Sequence, residues 1–422
     1  MIMESVKNAA IEHVKSCTNE NHENVFDVKI YDNFAILSSM QKDWDSFMEE
    51  MHAEIFLTYD WCRLWWKYYG KGRVLKIFVF RQHDHIIGIL PLFLDVIGFW
   101  PMNINIIKIV GTDFMPITID IPIRKDYIND IIKSVIRNLN ELFRWDIIYI
   151  GAICGKCETV EQIEKAFIDA LPASYNVTQN TTDVQTYFKI ADSMEEQIAS
   201  FNKAKRKRLR HFYNNAEESG KTISDYADET NYDVYFNAFV NMHQTKWQKE
   251  GQAGHFGVWP DSYNFHYETA STQLKHGRLR LLRLKIYDQD AGYQYSYKFG
   301  ETYYLFLNAR VEEEQFKNLN YYTLLLCEDA KHAIAQNIKY FDAMRGRYDY
   351  KLQSGGYLFP VRNIFVYSRQ PIKLIRILSF RLLFSLIDIL YVKIWRRRVL
   401  PRLGIRPAQF NKYWIRTHML SF

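Results

Sequence analysis

Hydrophobic positions recur along this chain at two periods, and the switches between them mark out its elements. Trp44, Phe47, Met48 and Met51 share one face at a spacing of three to four, which predicts a helix over 44–51. Trp61, Leu64, Trp65 and Tyr68 repeat the pattern and predict a second helix over 59–69. Residues 73–81 and 86–94 read as a hairpin turning at Gln82-His83-Asp84-His85, with Gly88 and Pro91 marking a bulge or an edge in its second strand. A strand over 29–37, a helix over 126–143 and a buried strand over 146–150 complete a first unit behind a polar leader, 1–28. Strands alternating with helices in this way predict an α/β (α+β) layer architecture.

A second unit starts near Asp192. Residues 193–219 predict one long basic helix, with Gly220 as its stop signal. Helices over 233–250 and 262–276 flank a loop, 251–260. Three consecutive antiparallel strands follow over 278–287, 292–299 and 303–309. A helix over 322–335, a strand over 339–344, a short helix and a last strand over 362–368 end the unit. No repeat of fixed period is visible. The organisation is thus a leader (1–28), an N-terminal domain (29–190), a C-terminal domain (191–370) and a tail (371–422), as the 422-residue length suggests.

Charge changes this picture at one end. The whole chain carries +6, but Pro371–Phe422 holds eleven Lys/Arg against Asp388 alone, so the first 370 residues carry −4. Basic character this localised points to an anionic surface met by the C-terminal end. Residues 374–395 are rich in Leu, Ile and Phe, yet Arg376, Arg381, Asp388 and Lys393 interrupt them, which makes a spanning helix costly. A basic helix lying on an anionic leaflet, or one docked on its own fold, accounts for the pattern. Aromatic content of 16% with 24% charged residues describes a globular chain. Five scattered cysteines and a leader without an apolar run point to a reducing, cytoplasmic setting, at the inner face of the membrane if the tail binds lipid.

The densest chemistry lies in Lys339-Tyr340-Phe341-Asp342-Ala343-Met344-Arg345-Gly346, followed by Tyr348-Asp349-Tyr350-Lys351. A short strand here delivers an acid, an arginine and a Tyr-Lys pair to one place. This run resembles the D-x-x-R/K-G…Y-K signature of the cellulose-operon (CelD-like) acyltransferases, a GNAT-fold family, over roughly residues 44–369. Ser354 stands where that family carries Trp. The resemblance implies two GNAT-like domains in tandem, an arrangement also similar to the Fem-type aminoacyl transferases. It implies acyl-CoA as donor cosubstrate, with pantetheine between strands 292–299 and 303–309 and pyrophosphate at the next helix N-terminus. Lys317, Asn318, Asn320, Tyr322 and Thr323 fall there, with Asn in place of the usual glycines; free backbone N–H groups suit an anion.

For the chemistry, Asp342 is the general-base candidate if partial burial raises its pKa, or a structural carboxylate if Arg345 or Lys351 pairs with it. Tyr350 is placed to protonate a departing thiolate, and His243 is a second base candidate. Arg345 and Lys351 suit a phosphate or carboxylate. Arg206 and Arg210 share one helical face and are read as substrate-phosphate ligands, as an RNA contact or as a solvated face. Cys154 and Cys157 form a lone C-x-x-C without further ligands, so loop thiols and no metal are expected. The function expected is acyl-CoA-dependent N-acylation of an amino sugar, nucleotide sugar or other polar amine in polysaccharide or glycoconjugate synthesis. A Fem-type transferase using aminoacyl-tRNA, or a non-catalytic membrane-recruited scaffold, stands as the alternative.

Overall fold

The computed structural model describes residues 13–15, 26–98, 103–113, 117–207, 209–210, 222–286, 288–311, 321–405 and 408–409. After β1 (His13–Lys15) the first half runs β2 (Asp27–Tyr31), α1 (Gln41–Glu50), α2 (Tyr59–Tyr69), β3 (Val74–Gln82), β4 (His85–Ile97) and β5 (Ile104–Ile109). It continues with α3 (Ile128–Leu142), β6 (Ile147–Ile153), α4 (Val160–Ala170) and β7 (Tyr175–Lys189). A short helix, α5 (Met194–Ala199), leads to the second half. There β8 (Thr222–Tyr226), α6 (Tyr232–Lys249), α7 (Ser262–Lys275), β9 (Leu279–Ile286), β10 (Gln289–Phe299) and β11 (Thr302–Arg310) follow. Then come α8 (Tyr321–Ala335), β12 (Tyr340–Arg345), α9 (Asp349–Leu352) and β13 (Tyr357–Ser368). From β2 to β7 and from β8 to β13 the order of strands and main helices is the same.

Pairing repeats as well. Within each half three antiparallel contacts are followed by one short parallel contact, β5 with β6 and β11 with β12. The last strands then change places. β13 lies against β6 of the first half, β7 lies against β12 of the second, and β7 and β13 pair with each other along twelve residue pairs. One thirteen-stranded mixed sheet results, in the order β1-β2-β3-β4-β5-β6-β13-β7-β12-β11-β10-β9-β8. This is an α/β fold of two GNAT-like units whose common sheet is closed by exchanged strands.

Local chemistry explains the elements. Helix α2 buries Tyr59, Trp61, Cys62, Leu64 and Trp65 on one stripe. At its N-terminus the Asp45 carboxylate accepts the Tyr59 N–H at 2.8 Å and meets Arg278 of the second half at 2.7 Å. The β3–β4 turn tightens to two residues with His83 at φ 50°, and the bulge lies beside Gly88 in the second strand: Phe80 pairs with Gly88 and Arg81 with Ile86, leaving Ile87 as the extra residue. Four charges are buried together behind this hairpin. Arg73 bridges Asp95 (3.1 Å) and Asp113 (2.6 Å), while Lys108 reaches the same two acids at 3.3 and 2.9 Å.

Two expectations need correction. The strand expected over 29–37 ends at Tyr31, because Asn33 accepts the Ala35 N–H and starts a tight helical turn, Phe34–Met40. The single basic helix expected over 193–219 is broken: α5 stops at Ala199, and winding resumes at Lys203 with Asn202 accepting the Lys205 N–H as a cap. Its continuation over 211–219 lies outside the described residues. Strands β5 and β7 and helix α4, unexpected from periodicity, complete the first unit.

Removing one member of the buried charge group leaves acids without a full complement of cations. Lys108→Met is expected to destabilise the fold by about 3–5 kcal/mol, the usual loss on breaking a buried pair from one side. Urea unfolding of the variant and parent checks this; a change within error would show that Arg73 alone satisfies both acids.

Candidate active site

The parallel contact between β11 and β12 holds for only three residue pairs, Thr302–Tyr340, Tyr303–Phe341 and Tyr304–Asp342, and then the strands part. This relocates the opening expected between residues 292–299 and 303–309. Those segments pair from Phe299–Thr302 to Gly292–Arg310 with one bulge, so no ligand fits between them. The divergence lies on the other side of β11, and its last paired residue is Asp342.

Asp342 is fully buried. Its Oδ2 accepts from Gln185 Nε2 at 2.5 Å and its Oδ1 accepts the Met344 N–H at 2.7 Å. Gln185 and Tyr187 come from β7, the exchanged strand. The Tyr187 hydroxyl accepts from Gln185 Nε2 at 3.0 Å, donates to Glu54 Oε1 at 3.3 Å and lies within reach of Asp342. Tyr304 also bonds Glu54. Two carboxylates are therefore buried around one tyrosine hydroxyl. Burial first, and then the charge of Asp342, pushes Glu54 far above the carboxylate range, with Lys156 opposing. Asp342 is raised by burial, against Lys156 and its own hydrogen bonds.

Glu54 lines a cavity of about 690 Å³ on the seam between the halves, and Asp342 is buried behind it, linked through the Tyr187 hydroxyl. Its walls come from the segment after α1, from the residues after β6, from the β10–β11 turn, and from the starts of β12 and β13. It carries Glu49, Glu54, Asp120, Glu158 and Glu301 against Lys156 and His52. Lys156 Nζ sits 3.3 Å from the Tyr187 ring centroid and 5.0 Å from that of Tyr340. Cys154 and Cys157 are free thiols in the loop between β6 and α4, as expected, and both are buried here; burial drives both thiols up, and Cys154 Sγ lies 3.1 Å from the Tyr187 hydroxyl.

Other residues singled out from sequence fall in distinct places. Arg345 bonds Asp183 at 3.3 Å, not Asp342. Lys351 is buried with its ammonium on the backbone, 2.7 Å from Ala343 O and 3.3–3.5 Å from the carbonyls of Met344, Arg345 and Gly346. It fastens a turn in which Met344 has φ 63° and Gly346 φ 102°. At Gly346 a Cβ would lie 2.5 Å from the Tyr348 ring. Tyr350 packs edge-on against Tyr322 (4.4 Å between centroids) in the first turn of α8, where Thr323 is buried. Burial pushes Tyr350 to about 12. Lys317, Asn318 and Asn320 lie outside the described residues.

His243 is not among the cavity-lining residues. Its Nδ1 is 2.9 Å from Asn308 O, and its Nε2, 2.8 Å from His255 Nδ1, accepts the Trp247 indole N–H. Burial and then His255 push it to about 3, so the ring is neutral. Arg206 donates to Ala199 O, whereas Arg210 is exposed with Lys203 and Lys207. Sequence reasoning missed Glu54, Lys156, Gln185 and Tyr187. No local motif carries them, and only the Thr/Tyr/Val content of residues 175–189 hinted at the strand that brings two of them in.

Residues 203–352 match the family model described as "Acetyltransferase (GNAT) domain". The fold and this match define a GNAT-type acyltransferase fold. The crystal structure of FemX, 11% identical, superposes with a TM-score of 0.57 over 80% of this chain and 98% of that one. A conserved protein of unknown function from Bacteroides thetaiotaomicron VPI-5482, 9% identical, does so at 0.50 over 85% of this chain and 100% of its own. At these identities the likeness is one of fold. No curated protein matches the chain.

Glu54 supplies a stability test. With its pKa raised from 4.5 to about 8, the folded state binds the extra proton between those values, so stability falls as pH rises through that window. Glu54→Gln is expected to flatten this slope and to be the more stable protein above pH about 8. Melting temperatures across the window check it; parallel profiles for variant and parent would show that Glu54 ionises normally.

Proposed function

We propose that this chain is an N-acyltransferase moving an acyl group from a thioester to an amine held in the cavity between its halves. The observation that carries the reading is the buried Glu54–Asp342 pair. Of two acids too close and too dry to ionise together, Glu54 lines the cavity and Asp342 is buried behind it, at the point where β11 and β12 part. The GNAT-domain match supports acyl-CoA as donor. On this reading the acyl arm enters from the divergence, with Lys317, Asn318, Asn320, Tyr322 and Thr323 around its pyrophosphate, and the amine enters from the cavity.

The ionised member of the acid pair takes a proton from the bound ammonium. The freed nitrogen attacks the thioester carbonyl, the C–N bond forms as the C–S bond breaks, and the thiolate leaves. Tyr350, protonated at neutral pH and set against Tyr322, is the hydroxyl that gives its proton to sulfur, and the second proton, shed by nitrogen as the amide forms, returns to Tyr350 through solvent. Arg345, Lys351, Arg206 and Arg210 complete the substrate-binding set taken from the sequence, of which Arg210 has an exposed charge and Lys351 acts through the turn it fastens. With Glu54 protonated, Glu49, Glu158 and Glu301 still outnumber Lys156 in the cavity and draw a cationic acceptor. An amino sugar or similar polar amine without phosphate suits that balance better than a nucleotide sugar. The Asp342, Arg345-Gly346 and Lys351 spacing supports the CelD-like branch and a role in polysaccharide or glycoconjugate synthesis. A Fem-type donor, aminoacyl-tRNA, is the second reading, favoured by the exposed cations Lys203, Lys207 and Arg210.

Asp342→Asn is expected to keep the thermal shift given by acyl-CoA while lowering turnover about 10²–10⁴-fold. Unchanged turnover with a panel of cationic amines would remove Asp342 from the chemistry, and absence of any acyl-CoA shift alongside salt-sensitive tRNA binding would favour the second donor. In the parent, kcat/KM is expected to rise with pH as the pair loses its first proton and to gain nothing from the second ionisation, which burial and the charge of Asp342 hold up to about 8 on Glu54. A further rise through pH about 8 that Glu54→Gln abolishes would place the base on Glu54 instead.

A further inference from the structure

Helix α10 (Pro371–Ile387) continues through wider turns over Asp388–Val399 to Leu400–Arg402. One side of it is docked. Ile377 and Phe380, with Phe384 beside them, cover a sheet face made by Ile97, Ile104, Ile106, Ile147, Tyr149 and Phe365, and Arg376 pairs with Asp146. The opposite side is also apolar and faces solvent: Ile372 is 83% exposed, Ile375 65% and Leu382 63%, and Leu386, Leu390 and Trp395 extend the stripe. A single helix thus has two apolar faces, of which its own fold covers only one. A stripe of this size left bare is an interaction surface.

We propose that the bare face docks on an anionic lipid bilayer, with the helix lying in the plane of the interface. Charge complementarity selects this occupant. Arg397, Arg398 and Arg402 are exposed along the C-terminal half, next to the stripe, and the one acid of the tail, Asp388, is paired with Lys393 at 3.4 Å. Trp395 suits the headgroup level. Among the described residues no helix is long and apolar enough to cross a membrane, so the face lies on the bilayer. Arg396 takes no part: it turns inward, donating to Ala408 O at 2.6 Å. Because Ile377 and Phe380 fix the helix to the sheet, docking orients the whole molecule, and cutting the chain at residue 370 would uncover that sheet face.

The test is sedimentation of the full chain with vesicles of equimolar phosphatidylcholine and phosphatidylglycerol, and with phosphatidylcholine alone. Binding to the anionic vesicles only, weakened by salt, is expected. The triple variant Ile375→Gln, Leu382→Gln, Leu390→Gln should lose it at an unchanged melting temperature, because these side chains lie outside the core. Arg397→Gln with Arg398→Gln should weaken it about thirty-fold, the share of two interfacial cations. Binding retained by the triple variant overturns the proposal. So does a lipid-free dimer that the triple variant splits while the parent ignores both vesicles, since a second copy then covers the face.

Discussion

The structure depends on the exchange of β7 and β13. Each half by itself ends on a short parallel pair, β5 with β6 or β11 with β12, and leaves the far side of β6 or β12 open. An unpaired buried strand edge is costly, because its N–H and C=O groups have no water to turn to. The exchange satisfies both edges at once and pairs the exchanged strands with each other. It also builds the candidate site. Gln185 and Tyr187 reach Asp342 only because the last strand of the first half lies against β12. Tyr357 and Phe359 reach the cavity only because β13 crosses the other way. Neither half contains the site, so folding of the two halves and assembly of the chemistry are one event.

Charges are buried in this protein under two regimes. Behind the β3–β4 hairpin two cations face two anions, each acid touching both cations, so the charges balance. Around Tyr187 two acids share a hydroxyl, and the nearest cation, Lys156, rests on the tyrosine ring and makes no ion pair there. The first arrangement is neutral and its protons have nowhere useful to go. The second is held away from its preferred ionisation, which costs stability and creates a group able to take a proton near neutral pH. A fold that carries both, with the unbalanced one reaching a cavity through Glu54, separates scaffold electrostatics from reactive electrostatics.

Much of the second half was legible in the sequence: helices α6 and α7, strands β9 and β11, α8 and β12 follow apolar spacing within a residue, and only the start of β10 lies three residues earlier than expected. The first half was read only in part, for identifiable reasons. Strand β7 carries Asn176, Thr178, Gln179, Asn180, Thr181 and Thr182, so neither of its faces shows apolar alternation, although it runs through the middle of the sheet. Strand β5 hides a fully buried Lys108 that reads as a surface residue until Asp95 and Asp113 are seen beside it. Asp342 stood out because an acid in a short apolar strand conflicts with its surroundings. Glu54 did not, because a lone glutamate in the short connection between two helices, just before Ile55-Phe56-Leu57, reads as a loop residue turned to water until the opposite half closes over it.

The signature that first drew attention divides, in three dimensions, into one residue facing the chemistry and several that hold it there. After Asp342 the chain turns sharply, with Met344 and Gly346 both at positive φ, a conformation a side chain resists. That turn aims the Met344 N–H at Asp342 Oδ1 and leaves four successive carbonyls pointing inward. Lys351 gathers those carbonyls on one ammonium, although burial pushes its pKa down to about 8. Lys205 bonds Tyr350 O and Ser354 Oγ at 2.7 Å and braces the next turn. The hydroxyl at Ser354, standing where the CelD-like pattern has Trp, is thus a ligand for a buried cation. The spacing of acid, glycine and lysine is what this geometry demands: the acid at the strand end, the glycine where Tyr348 leaves no room for a Cβ, and the lysine one helical turn on, within reach of the carbonyls.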